Sequence, residues 1–246
     1  MNDSLVETKL FFENPNWYLS KRGFYVRVRS AIVQELLKGS KFESILDIGC
    51  GDGSISLPML AAGNRLTLLD LSQNMLDLAR SHAPYDSRPQ LVTINGDFMN
   101  TDLPANSYDL IICLGVLSYV NLPEPFLEKI HLLLKPGGMV IIECTDGSHP
   151  LSRFLRTVYS LKDAFFGAKS KVRLRVHSAA DIASKFNKMC FKMLATYRYS
   201  APLPIFRNLF SQQFHHVKIR FIYGSVASNR MGWLGNECLF QFKKPN

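Results

Sequence analysis

The chain has no apolar run of bilayer-spanning length, which takes about 20 residues. The longest, from Leu110 to Val120, is interrupted by Gly115 and Ser118, so a transmembrane helix is excluded. Internal repeats, low-complexity tracts and Pro/Gly/Ser-rich linkers are missing too, which argues for one domain. Cysteine is scarce: five residues (Cys50, Cys113, Cys144, Cys190 and Cys238), widely spaced and without a C-x-x-C pair. That usage reads as reduced core thiols of a cytoplasmic protein and speaks against a disulfide framework or a zinc site. The first ten residues carry Asp3, Glu7 and Lys9 where a secretory leader needs a basic start and an apolar middle. Acidic side chains are nearly absent from the C-terminal part. Residues 151–246 hold 3 Asp/Glu against 17 Lys/Arg, a net of +14, whereas residues 1–150 hold 17 against 12, a net of −5. Such an asymmetry turns one side of the molecule toward something anionic.

What remains is an ordinary globular composition, 47% apolar and 20% charged, in 246 residues. Short β-rich runs alternate with helical stretches from residue 42 to residue 143. Strands are predicted at 44–48, 65–70, 90–94, 108–114 and 139–143, and helices at 55–62, 72–81 and 125–134. Ser72 is placed to cap the second of these helices, with Met75, Leu76 and Ala79 on one side. Strands bounded by helices imply an α/β, doubly wound, mostly parallel sheet covered on both faces. Residues 11–37 read as helical with a loop near 14–16. A helix is expected over 151–166, another from the cap at Ser178 to about 187, and last strands over 193–200 and 237–243. The division is then a helical cap (1–41), a core (42–145) and a basic region (146–246) within one domain.

The strongest motif is SILDIGCGDG at 44–53. An apolar strand reaches Asp47, and glycines at 49, 51 and 53 let the backbone turn sharply and approach a ligand. The helix expected next would offer free N–H groups in its first turn. Asp70 ends the second strand, 21 residues after Gly49, where a carboxylate can accept hydrogen bonds from both ribose hydroxyls. A pyrophosphate loop reads G-x-G-x-x-G. Here the spacing is G-x-G-x-G, and Asp47 just before it would repel a diphosphate. An acid there suits a ligand with an ammonium group, and S-adenosyl-L-methionine joins an ammonium to a carboxylate, a sulfonium and a ribose without any phosphate.

The Asp47–Gly53 loop, Asp70, the pair Asp97-Phe98, the run YDLIICLGVL at 108–117 and the turn LKPGG at 134–138 resemble the class I S-adenosylmethionine-dependent methyltransferases, in the broad group that includes the ubiquinone-type O-methyltransferases. The resemblance implies a seven-stranded sheet with an antiparallel last strand, and cofactor and substrate over the carboxyl ends of the strands. It implies that Gly49 and Gly51 pack against the methionine part, that Asp70 holds the ribose, that Asp97 takes the adenine amino group with Phe98 near the base, and that Asp47, Cys50, Leu71 and Met75 also border the cofactor. Leu114 and Gly115 would line the sulfonium side, and Arg29, with Arg27 as the alternative, would meet the cofactor carboxylate. Where many relatives carry Glu-His or His-His, this chain has Ser118-Tyr119, and no metal is expected.

Methyl transfer is an in-line displacement in which orientation and desolvation do most of the work. A hydroxyl acceptor also needs a base, which an ionised acceptor does not. The candidates beyond strands four to six are Tyr119, Glu143, Asp146, His149 and His177, with Tyr119, His149 and His177 foremost. Each has a plain alternative as a turn, strand-end or surface residue. The alternating run at 169–177, with Arg173 and Arg175, reads either as an anion-binding wall or as a solvated edge. Residues 204–221 place aromatics near helical spacing beside Arg207, Lys218 and Arg220, as core or lid, or as a surface helix for peripheral membrane contact. Tyr18 and Arg22, with Trp17 and Tyr25, belong to the N-terminal cap on the substrate side. The expected activity is O-methylation of a small-molecule acceptor, anionic or linked to a lipid or carrier. RNA modification and non-catalytic cofactor binding are the rivals; the first lacks any RNA-binding appendage in the sequence.

Overall fold

Seven strands form one sheet in the order β3-β2-β1-β4-β5-β7-β6. They are β1 (Ser44–Ile48), β2 (Arg65–Asp70), β3 (Leu91–Asn95), β4 (Tyr108–Cys113), β5 (Leu134–Thr145), β6 (Lys192–Tyr199) and β7 (Glu237–Lys243). β1 to β5 pair in parallel, and β7 runs antiparallel to both β5 and β6. The computed structural model of the protein describes residues 12–61, 63–166, 175–200 and 215–246.

Both faces of the sheet are covered, and the pleat decides which residue goes where. In β4, Leu110 and Ile112 join one buried cluster while Ile111 and Cys113 join the other. The same alternation splits Ile45 from Leu46 and Ile48 in β1. Because both faces are dry, the strands read as nearly continuous apolar runs rather than as alternating ones. Helices α1 (Pro15–Leu36), α2 (Gln73–His82) and α6 (His215–Tyr223) cover one face through Val28, Ile32, Leu76, Ala79 and Ile219. The other face is closed by α3 (Pro123–Leu133) and α5 (Ala179–Lys188) through Phe126, Ile130, Ile182 and Phe186, the last stacked on Phe242 at 4.2 Å. A further helix, α4 (Pro150–Phe166), follows β5. Ser72 and Ser178 accept from the N–H groups of Met75 and Asp181 and so cap α2 and α5.

The helix expected over 55–62 does not form; only a single 3-10 turn, Leu57–Met59, is present. Pro58 has no N–H to continue a ladder. Gly53, at φ +73°, turns the chain so that its carbonyl takes both Ser56 N–H and Leu57 N–H. β5 is longer than the sequence pattern indicates, because the LKPGG turn enters it with an irregular register beside Tyr108 and Leu110. Its far end reaches Thr145, which lies opposite Glu237 of β7. Among the described residues, no helix is long and apolar enough to cross a membrane.

Candidate active site

β1 is flanked by β2 on one side and β4 on the other, so the chain leaves β1 and β4 toward opposite halves of the sheet and opens a crevice between them. The glycine loop lies on one side of this crevice and Leu114-Gly115 on the other. The loop is built tightly. Gly49, at φ +69°, leaves no room for a Cβ, which would sit 2.4 Å from Val116 Cγ2. Gly51, at φ +55°, faces open space and lines the cavity. The amides of the turn are engaged within the protein. Gly49 and Cys50 donate to Leu69 O at 2.8 and 3.2 Å, and Gly51 donates to Asp70 Oδ2 at 2.9 Å. A phosphate cradle needs such amides free and converging, so this loop can receive a ligand by shape but not as a diphosphate nest.

The crevice is a cavity of about 590 Å³ along the carboxyl ends of the parallel strands, within the range of small-molecule sites. Asp97 and Phe98 line it beyond β3, Asp70 and Leu71 beyond β2, Gly49 and Gly51 beyond β1, and Leu114 and Gly115 beyond β4. Glu143 and Thr145 line it at β5, and Glu237 at β7. Asp70 is nearly buried and also accepts from Ser72 N–H at 2.9 Å. Burial raises its pKa above the usual carboxylate value, although the N–H groups of Ser72 and Gly51 act the other way. Phe98 packs on Phe126, and Lys129 lies 5.0 Å over its ring while donating to the carbonyls of Phe98, Met99 and Thr101. That ammonium fixes the turn after β3. Asn100 donates to Asp97 Oδ2 at 2.6 Å and orients that carboxylate.

α1 closes the cavity from above with Tyr25 and Arg29. Arg29 Nη2 is paired with Glu143 Oε2 at 2.5 Å, and Tyr199 Oη donates to Glu143 Oε1 at 2.7 Å. Glu143 is 2% exposed and Arg29 14%, so removing either partner leaves the other charge poorly compensated. Gly115 provides the space: at φ +74°, a Cβ there would lie 3.0 Å from Arg29 Nη2. Gly39 has a similar φ of +80° with nothing within 4 Å, so it is an internal control. Gly115→Ala should cost more stability than Gly39→Ala, whose expected cost is about 1–2 kcal/mol of backbone strain. Chemical denaturation of the two variants measures the difference, and equal losses would mean that Arg29 is not held against Gly115.

The structure sorts the residues singled out by sequence. Arg29, Gly49, Gly51, Asp70, Leu71, Met75, Asp97, Phe98, Leu114, Gly115 and Tyr119 all line one cavity. Arg27, the alternative to Arg29, is exposed and faces a different groove. Asp47 and Cys50 lie behind the loop instead. Asp47 is 3% exposed and accepts from Ser56 Oγ at 2.6 Å, while the Cys50 side chain belongs to the core. Side chains alternate along β1, so Asp47 follows Ile45 into the covered face rather than facing the crevice.

The two histidines stand outside this set. His149 is held by both ring nitrogens: Nδ1 accepts from Leu151 N–H at 3.2 Å, leaving Nε2 to donate to Trp233 O at 3.0 Å. His177 directs Nε2 at the carbonyls of Leu117 and Val120, 3.0 and 3.1 Å away. Neither lines the cavity, and both pin loops beside it. Asp146 is held in the same way, since Ser148, Ala179 and Arg198 all donate to it. Burial would raise its pKa, and those bonds outweigh burial and lower it. Arg175 is exposed, and its backbone N–H donates to Ser118 O at 2.7 Å. Arg173, residues 169–174 and residues 204–214 lie outside the described residues, as do the side chains of Tyr18 and Arg22. Sequence reasoning missed Glu237. Its only signal is being first in an antiparallel strand, which brings its N-terminal end to the rim where the parallel strands finish.

A model described as a methyltransferase domain matches residues 46–142, the stretch that carries the glycine loop and β1 to β5. The demethylmenaquinone methyltransferase of Staphylococcus epidermidis is 30% identical over 212 residues, which is 81% of this chain and 78% of that protein. The chain belongs to the class I S-adenosylmethionine-dependent methyltransferases. The ubiquinone biosynthesis O-methyltransferase of Coxiella burnetii is 31% identical over 116 residues, 46% of this chain. The chain therefore spans about half the length of that relative, 47%. The crystal structure of magnesium protoporphyrin IX methyltransferase from Synechocystis with bound S-adenosylhomocysteine superposes with a TM-score of 0.66, covering 99% of this chain and all of that one. At 16% identity it shows the shared methyltransferase fold.

Proposed function

We propose that the protein, acting as a single domain, transfers the methyl group of S-adenosylmethionine to a hydroxyl of a small, largely apolar acceptor. The observation that carries this reading is the order of groups along the rim. Acids stand at β3 and β2, a glycine turn whose amides are engaged stands at β1, and a buried Arg–Glu pair and apolar walls follow at β4 and β5. The residues present fit the donor. Asp70 accepts the ribose hydroxyls with its remaining lone pairs, Asp97 accepts from the adenine amino group, and Phe98, Leu71 and Met75 wall the base. Gly51 leaves space where a Cβ would intrude, for the methionine part, and Arg29 meets its carboxylate. Asp47 supplies negative potential from behind the loop, and Leu114 and Gly115 border the sulfonium. When bound, the donor supplies a methyl group on a positive sulfur. The chain's own part is to align the acceptor and exclude water.

Adjacent strands are about 4.8 Å apart, so the rim from β1 to β7 extends about 14 Å beyond the methionine end. The acceptor occupies that length, and Val116, Val120 and Leu122 add apolar lining to the same cavity. The relatives named for demethylmenaquinone methylation and for ubiquinone biosynthesis favour a quinone-type acceptor. The charged side chains of the cavity are Asp70, Asp97, Glu143 and Glu237 against Arg29, so an anionic part of the acceptor, or a lipid or carrier bearing it, extends outward to the basic C-terminal region. Calorimetry with S-adenosylmethionine tests the donor site. Asp70→Ala should weaken binding by about 1.5–3 kcal/mol, the value of a charge-assisted bond. Unchanged affinity would remove the ribose from β2.

A further inference from the structure

We propose that Lys129 sets the base selectivity of the donor site by holding the turn that presents Asp97 and Phe98 to the adenine. The inference rests on the adenine position given above and names a residue behind the cavity wall that governs it. The turn runs from Asp97 to Thr101. The Asp97 carbonyl closes it, accepting from Asn100 N–H at 3.1 Å, Thr101 N–H at 2.9 Å and Thr101 Oγ1 at 2.8 Å. The carbonyls of Phe98, Met99 and Thr101 converge on one point, and Lys129 of α3 occupies it. Its Nζ lies 2.7, 3.2 and 2.6 Å from them. An ammonium has three N–H groups and no acceptor, so this one turn takes up its whole capacity. The same ammonium stands 5.0 Å over the Phe98 ring, and Phe126, one turn earlier in α3, packs on that ring at 4.7 Å.

Three carbonyl dipoles aimed at one point repel each other unless a cation lies between them. Without the ammonium they turn toward water, and the peptide planes around Phe98 and Asn100 rotate with them. Those planes carry the groups that face the base. Asn100 donates to Asp97 Oδ2 at 2.6 Å, and no described residue donates to Oδ1, which is left for the ligand. A carboxylate held in this way accepts from the 6-amino group of adenine and repels the 6-oxo group of hypoxanthine. A turn released from Lys129 lets that carboxylate drift and admits water, so the preference for amino over oxo shrinks. The ribose end is held separately, because Asp70 is fixed by the N–H groups of Gly51 and Ser72. Losing Lys129 therefore changes which base is preferred, and not only how tightly the donor binds.

The test compares, by calorimetry, S-adenosylhomocysteine with S-inosylhomocysteine, in which the 6-oxo base replaces the 6-amino one. The wild type should prefer the adenine ligand by about ten- to a hundred-fold, the worth of a charge-assisted bond. Lys129→Met keeps an apolar stem against Phe98 and should cut that preference by about threefold or more, the coupling expected within one hydrogen-bond network. Lys129→Arg restores a cation and should recover part of it. The ratio decides, because an unfolded fraction lowers the binding of both ligands alike and a merely structural lysine leaves their ratio where it was. A preference that survives unchanged in Lys129→Met, or a variant that binds neither ligand, would overturn the assignment alone. If the wild type does not distinguish the two ligands, the adenine does not meet Asp97, and this assignment falls with that reading.

Discussion

Arg29→Met should lower the folding stability by about 3–5 kcal/mol, the cost of leaving one partner of a buried ion pair without its counter-charge. The stranded group is the Glu143 carboxylate, 2% exposed, which keeps only the hydrogen bond from Tyr199 Oη. For a chain of this size the loss appears as a fall in Tm of roughly 6–20 °C. Methionine fills much of the arginine stem's volume, so packing contributes little to the change. The double variant Arg29→Met/Glu143→Gln should recover most of the loss, because a glutamine carries no charge and its Oε1 can still accept from Tyr199. Donor affinity should not recover, since neither variant has a guanidinium over the cavity. Stability and binding thus separate within one pair of proteins. A single variant that melts within a degree of the wild type would mean that the pair is hydrated.

Asp47→Asn should stabilise the ligand-free protein above neutral pH and do little near pH 4. Burial, with the charges of Asp70 and Asp52 adding to it, pushes the Asp47 carboxyl up to about 7, and the bond from Ser56 only partly opposes this. An unfolded chain releases that proton near the ordinary value of 3.8. Between those two values the folded state binds more protons than the unfolded state, so stability falls as pH rises from about 4 to about 7 and then levels off. The shift of about 3 units corresponds to a ceiling of about 4 kcal/mol. Asparagine can still accept from Ser56 and has no charge to bury. Melting curves from pH 4 to pH 8 should show the wild type losing ground to the variant through that window. Parallel curves would mean that Asp47 is already ionised below it. The same carboxylate gives negative potential to a bound ammonium, so the variant should also bind the donor more weakly despite its higher Tm.

β1, β2 and β7 begin and end at the residues that the sequence pattern indicates. A dry strand in a sheet covered on both faces is a short unbroken apolar run, which polar or glycine residues terminate sharply. The cap at Ser72 was equally legible, because a serine before a helical stripe has one favourable geometry. The helix over 55–62 was misread for a local reason. Pro58 is tolerated in a first helical turn, and only the Gly53 turn, with its carbonyl taking Ser56 and Leu57, shows that the chain goes no further. The partners of the histidines were not legible for a different reason: the carbonyls they meet, those of Trp233, Leu117 and Val120, come from segments far away in the chain.

The sequence by itself determined the sheet, the glycine turn, and the acids at 70 and 97, because backbone freedom at glycine and the apolar period of a strand are properties of neighbouring residues. The tertiary structure alone decided that Asp47 faces inward, that Arg29 rather than Arg27 reaches the cavity, and that Glu143 is bound between Arg29 and Tyr199. It also brought Glu237 to the rim beside Thr145 across 92 residues of chain. Those outcomes depend on strand order, direction and pleat. An antiparallel strand reverses which of its ends meets the ligand, and no pattern of adjacent residues carries that information.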